Sequence, residues 1–224
     1  MRLLVYALPM TPGRQRLPAN AQMRRHRHAE PYAAVVLRGG YLEAGDSGRR
    51  RVGPGDVIFH RPFEAHANAI DARGAEVLNL PAASAMNAPF ARVSDLDAIA
   101  RLAERGATEA SRLLAAVAEP LESAEDDWPD RLAYDLAVDA NLNLGLWAAT
   151  QGLARATVSR GFRAAFGVSP RRFRLEARAR AAIEKLMVGD EPVAAIAADV
   201  GFADQSHLTR AVAALTGRSP TQLR

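Results

Sequence analysis

The sequence predicts an α+β chain of two domains, a small N-terminal β-barrel followed by an all-α domain. Three observations predict it. In the first ninety residues, short apolar runs are cut by Gly and Pro at the spacing of a small all-β fold. From about residue 94 the apolar residues recur with the period of a helix. The last hundred residues carry one pattern twice, about fifty positions apart.

The strands are read first. Expected strands are Leu3–Leu8, Tyr32–Leu37 ending at Gly39-Gly40, and Tyr41–Ala44 ending at Gly45-Asp46. Val57–His60 follows the turn Gly53-Pro54-Gly55-Asp56, and Glu76–Leu80 stops at Pro81. Two helices follow. Residues 94–106 place Leu96, Ile99 and Leu102 on one face, with Ser94 or Asp95 to cap the start and Gly106 to end it. Residues 108–120 carry Leu113, Leu114 and Val117 and stop at Pro120. Residues 119–130 hold six acids and no base, which reads as a linker. The expected organisation is a β domain over 1–92, a helical pair for dimerisation over 93–118, an acidic linker over 119–128 and a helical domain over 129–224.

Within the helical half, Ser159-Arg160, Gly167 and Ser169-Pro170 recur as Thr209-Arg210, Gly217 and Ser219-Pro220. Ala148 and Gly152 recur as Ala197 and Gly201. Each copy reads as a short helix, a glycine that can take positive φ, and a second helix with one apolar face. That face is Val158, Phe162 and Phe166 in the first copy and Leu208, Val212 and Leu215 in the second. Ser169-Pro170 caps a long helix over about 171–187, and Ser219-Pro220 repeats the signal. At about 1.5 Å per residue the long helix spans roughly 25 Å, enough to set two second helices about one DNA turn apart, ~34 Å.

Composition narrows the function. The 224 residues are 49% hydrophobic and 24% charged, the balance of a globular protein. No apolar run is long enough for a membrane span. The first ten residues are too short for a secretory signal, so a cytoplasmic location is expected. The chain has no cysteine, which excludes disulfides, thiolate zinc sites and cysteine nucleophiles. Its net charge of +4 is uneven: residues 1–130 carry 16 bases and 17 acids, residues 131–224 carry 13 bases and 8 acids. A near-neutral half joined to a basic half suits a sensing or assembly domain joined to a domain for a polyanion.

The doubled unit, above all residues 196–224, resembles the DNA-binding region of the AraC/XylS family of bacterial transcription regulators. That resemblance implies that the exposed face of each second helix enters the major groove of promoter DNA. The residues so placed are Arg155, Ala156, Ser159, Arg160 and Arg163 in the first unit, and Gln205, Ser206, Thr209 and Arg210 in the second. Arg suits guanine, Gln suits adenine, and Ser or Thr suits either; an Arg at such a position also serves phosphate or solvent. Arg171, Arg172, Arg174 and Arg178 are expected toward phosphates or solvent. The sequence departs from the family pattern at Ala211-Val212-Ala213, where an aromatic and a basic residue are usual.

Four of five histidines lie between 26 and 66. The series His26-x-His28, Gly39, Pro54-Gly55-Asp56, Pro62, His66 and Asn68 resembles a cupin barrel, the usual sensory domain of AraC-type regulators. In that reading His26, His28 and His66 converge, with Tyr32 standing where the cupin metal motif carries Glu and Glu64 where it carries Gly. No cofactor is certain. Three imidazoles suit a divalent transition metal, and the same side chains suit an organic effector. His60 is read as structural or pocket-lining, and Arg24, Arg25 and Arg27 as a solvated strand edge.

Taken together, the resemblance implies a cytoplasmic, effector-responsive regulator and not an enzyme. Its partners would be double-stranded promoter DNA, a small-molecule or metal effector, a second copy of the chain and RNA polymerase. Two other readings stay open: a metal-dependent cupin enzyme with a DNA-binding appendage, and a DNA-binding protein that needs no ligand.

Overall fold

The computed structural model describes residues 10–82, 88–122 and 127–224, which form two compact units, one over 10–122 and one over 127–224; of the segment expected as a linker, Glu119–Pro120 is a strand of the first and Trp128 opens a helix of the second. The strand expected at Leu3–Leu8 lies outside the described residues. The architecture is the predicted one, an N-terminal antiparallel β unit followed by a helical unit.

Among the described residues the β unit has eight strands: β1 (Gly13–Leu17), β2 (Gln22–Arg27), β3 (Tyr32–Gly45), β4 (Gly48–Val52), β5 (Asp56–His60), β6 (Ala65–Pro81), β7 (Phe90–Arg92) and β8 (Glu119–Pro120). They pair in the order β1-β6-β3-β5-β7-β8, with β2 also on β6 and β4 also on β3. Among the described residues the two ends of this order do not meet, so the sheet folds over without closing.

Gly39-Gly40 does not end the strand as expected. The chain runs through it as one strand of 14 residues, with register shifts after Val36 and Gly39. Gly39 has φ +67, and a Cβ there would lie 2.0 Å from the Gly74 carbonyl oxygen. Only glycine permits that crossing of β3 and β6. Past it the sheet changes direction. The later half of β3 pairs with β4 and the start of β6, the earlier half with β5 and the end of β6.

The sheet has two buried faces. Tyr32, Ala34, Val36, Tyr41, Ile58, Ile70 and Val77 share the inner core. Ala33, Val35, Val57, Leu78 and Leu80 point the other way and pack on α1 (Leu96–Arg105) and α2 (Ala107–Val117) through Ile99, Ala110 and Leu114. Asp95 caps α1 by accepting from the Ala98 N–H at 2.8 Å. The helical face read as a subunit contact therefore covers the sheet. Of Leu96, Ile99, Leu102, Leu113, Leu114 and Val117, only Val117 is exposed. The second helix ends at Val117 rather than at Pro120, which instead pairs with Ala91.

The helical unit comprises α3 (Trp128–Val138), α4 (Leu144–Thr150), α5 (Arg155–Phe166), α6 (Pro170–Val188), α7 (Val193–Asp199), α8 (Gln205–Thr216) and a closing 3₁₀ turn, Pro220–Gln222. Helices α5 and α8 each have 12 residues, start fifty positions apart and end in a left-handed glycine, Gly167 and Gly217, both at φ 73. The apolar spacing buries as expected. Phe162, Phe166 and Phe173 stack and cross with ring centroids 4.7–5.3 Å apart, beside Leu132, Leu136 and Trp147. Ser169 caps α6 by accepting from the Arg172 N–H at 3.3 Å. Its 19 residues span about 28 Å. No helix among the described residues is long and apolar enough to cross a membrane.

Candidate nucleic-acid interface and ligand pocket

Gly152 (φ 64) and Gly201 (φ 79) make the turns between α4 and α5 and between α7 and α8. Each second helix then buries one face and presents the other. On α5, Val158, Phe162 and Phe166 go inward, while Arg155, Ala156, Ser159, Arg160 and Arg163 are exposed. On α8, Leu208, Ala211, Val212 and Leu215 go inward, Gln205, Ser206 and Arg210 are exposed and Thr209 is half-buried. Arg160 and Arg210 are both the sixth residue of their helix. Arg155, Arg160, Arg163 and Arg210 make no ion pair among the described residues, so each is available to an anion. At Ala211-Val212, where the expected family pattern is broken, both side chains are buried.

The arginines of α6 differ from expectation. Arg172 pairs with the buried Glu176 at 2.6 Å. Arg174 donates to the Leu142 carbonyl at 2.7 Å, and Arg178 donates to the carbonyls of Gly201 and Ala140. The Arg174 and Arg178 guanidiniums hold loop carbonyls inside the unit, because α6 lies between the two repeats and the loops end against it. Of the four, Arg171 alone is exposed with no such bond among those described.

In the β unit, the register sets His26 opposite His66 across β2 and β6, and Tyr32 opposite His60 across β3 and β5. The structure thereby brings His26, His28, Tyr32 and His66 together. Ring centroids are 4.3 Å apart for His26–His66, 5.1 Å for His26–His28 and 5.6 Å for His28–His66. The Tyr32 hydroxyl lies 3.4 Å from His66 Nε2. His60 joins them on the inner face, 4.2 Å from His66 and 4.5 Å from Tyr32 by centroid. These side chains line a cavity of about 200 Å³, with Tyr41, Glu43, Asn68 and Asn79 on its wall.

Two trios here have ligating atoms within 4.8 Å of one another: His26, His28 and His66; and Glu43, His60 and His66. Simple strand alternation from Tyr32 would turn Glu43 away from the cavity. The register shifts around Gly39 reverse the alternation, so Tyr32 and Glu43, eleven residues apart, face the same way. Asn68 Nδ2 donates to Glu43 Oε2, while Glu43 Oε1 and His66 Nδ1 are buried without a partner among the described residues. Buried polar groups of this kind cost about 1–3 kcal/mol each unless a water, an ion or another polar group meets them. Burial, reinforced by the neighbouring histidines, holds His60 down to about 3 and His66 well below the usual imidazole value. Burial pushes the Glu43 carboxyl up, and the nearby Glu64 adds to that. His26 is lowered by burial, and its Nδ1 sits 2.9 Å from the Arg24 carbonyl. Arg25 and Arg27 are not a solvated edge: Arg25 forms a buried pair with Asp46, and Arg27 is buried. Of these three, only Arg24 is exposed.

Residues 147–224 match a family model described as a helix-turn-helix domain. No curated protein matches the chain. Similar solved structures include unsaturated fatty acid-bound ToxT from Vibrio cholerae strain SCE256, 11% identical over 94% of this chain and 92% of that one, TM-score 0.43. The C-terminal domain of AraT, a response regulator from Geobacillus stearothermophilus, is 24% identical over 46% of this chain and 87% of its own, TM-score 0.42. A probable AraC family transcriptional regulator from Rhodopseudomonas palustris CGA009 is 20% identical over 41% and 89%, TM-score 0.39. The matched segment contains both glycine turns and both exposed second helices, and residues 147–224 are thus a helix-turn-helix domain.

Proposed function

We propose that the chain is a one-component regulator that reads two adjacent major-groove segments with α5 and α8 and adjusts that binding to an effector held in the β unit. The observation that carries the first part is the repeat itself. Two helices of equal length each present, at the same position, an arginine with no ion pair among the described residues, beside hydroxyl or amide side chains suited to base edges. Arg155, Arg160 and Arg163 supply base or phosphate contacts on one segment, with Ser159 beside them. Gln205, Ser206, Thr209 and Arg210 supply the other. Ala156, with no polar group, leaves the first unit fewer bases to read.

The second part rests on the cavity, which is small and carries convergent polar groups. An effector acts by preferring one arrangement of the chain over another. We read this pocket as a sensor and assign it no turnover. A cytoplasmic location follows from the DNA target, and RNA polymerase is the natural partner at a promoter. Homodimerisation is retained without the α1 and α2 face, which the sheet occupies.

Selection of bound duplexes from a random pool, with and without candidate effectors, tests the proposal. The expected outcome is a bipartite consensus whose occupancy changes with one class of effector. Recovery of unselected sequence contradicts it.

A further inference from the structure

We propose that Glu43, His60 and His66 form a buried site for a divalent transition metal, distinct in its donors from the His26-x-His28 pair. The inference deepens the effector reading above by naming the ligand class. All three residues are buried, at 2%, 6% and 3% exposure, and their ligating atoms lie within 4.8 Å of one another. Two nitrogens and one carboxylate oxygen are a donor set suited to Zn²⁺, Co²⁺, Ni²⁺ or Fe²⁺.

Two features favour this trio over His26, His28 and His66. First, a dication buried among neutral imidazoles alone would have no compensating charge, and only Glu43 brings a carboxylate into either trio. Second, of the two ligating-type atoms of the trios buried without a partner among the described residues, His66 Nδ1 is common to both and Glu43 Oε1 belongs to this one alone. The other carboxylate oxygen is already held by Asn68 at 2.5 Å, an outer contact of the kind that orients a ligating group. In this arrangement Tyr32, which touches His66 Nε2 and stacks on His60, positions both imidazoles and is not itself a ligand.

The test is titration of the full-length, metal-stripped chain with Co²⁺, followed by its visible d–d absorption and by displacement with Zn²⁺. A single ion per chain is expected, with bands of a low-coordinate site. Glu43→Gln and His60→Gln should abolish the bands, His28→Gln should leave them, and Asn68→Ala should weaken binding about 10–100-fold. Thermal unfolding of the wild-type chain with and without Zn²⁺ gives a readout independent of variant folding, and a metal-dependent rise is expected. No d–d absorption and no thermal shift would overturn the site, as would binding lost in His28→Gln and kept in Glu43→Gln. Duplex selection on the same samples separates this from the regulatory reading. A chain that selects DNA but takes up no metal overturns the metal site alone. One that binds cobalt but selects no DNA supports the site and overturns the regulator.

Discussion

Arg178 Nη1 on α6 donates to the carbonyl oxygen of Gly201 at 2.6 Å, and its other terminal nitrogen donates to Ala140. One guanidinium thus ties the turn that launches α8 to the loop that precedes α4. The orientation of the two second helices depends on that tie, because α6 is the element between them. Replacing Arg178 with Met leaves two loop carbonyls without this donor. The expected loss is about 1.5–3 kcal/mol, the range for bonds to a charged group. Both tryptophans, Trp128 and Trp147, lie in the helical unit. Urea unfolding followed by their fluorescence reads the effect on that unit.

The two glycine turns differ in what surrounds them. A Cβ at Gly152 meets nothing within 4 Å, whereas one at Gly201 meets Ala140 Cβ at 3.0 Å and the Arg178 guanidinium at 3.3 Å. Gly152→Ala should cost only the left-handed backbone penalty, about 1–2 kcal/mol. Gly201→Ala should cost more and should loosen the Arg178 tie. The same fluorescence-detected unfolding checks the order; equal losses would show that the packing around Gly201 yields freely.

Arg160→Ala and Arg210→Ala distinguish base from phosphate contacts. If each arginine reads a base, affinity falls by about 1–3 kcal/mol at one operator position, and specificity there relaxes. If it touches only phosphate, binding weakens evenly over all duplexes and the salt slope drops by about one. Titration of wild type and variants at two salt concentrations, on the selected operator and its single-base changes, reads both.

His60 makes the metal-free β unit acid-sensitive. Its folded value is about 3, against 6.5 in an unfolded chain. Between those values the unfolded state binds a proton that the folded state refuses. Its contribution is therefore complete above about pH 6.5 and drains away as the pH falls toward 3. Glu43 acts in the opposite sense: raised in the fold, it favours the folded state at low pH and loses that contribution as the pH climbs through its raised value. His60→Gln should flatten the acid-side slope by about 1.4 kcal/mol per pH unit between pH 4.5 and 6. Amide exchange of the β3 and β6 core across that range measures it.

Legibility in the sequence followed the range of the interactions. The repeat is written locally, in i, i+4 apolar spacing and two turn glycines, and Val158, Phe162, Leu208 and Val212 bury as that spacing requires. His26, His28 and His66 could be placed on one side because two are neighbours on a strand and the third lies across it. What escaped needed distant partners. Gly39-Gly40 looks like a turn until Gly74 is seen crossing it. Glu43 reaches the pocket only because bulges reverse the alternation. The polar strand β1, Gly13–Leu17, has no apolar alternation to betray it and exists through its pairing with β6. Arg25 and Arg178 look like surface charges, and only the fold supplies Asp46 to one and two carbonyls to the other.

The central claim is that α5 and α8 read neighbouring major-groove segments of one duplex. Hydroxyl-radical and methylation footprinting of the full chain on a selected operator tests it most directly. Two protected segments about 10 base pairs apart on the same face of the helix are expected, the first lost selectively in Arg160→Ala and the second in Arg210→Ala. A single protected segment, or uniform weak protection that neither substitution changes, would contradict it.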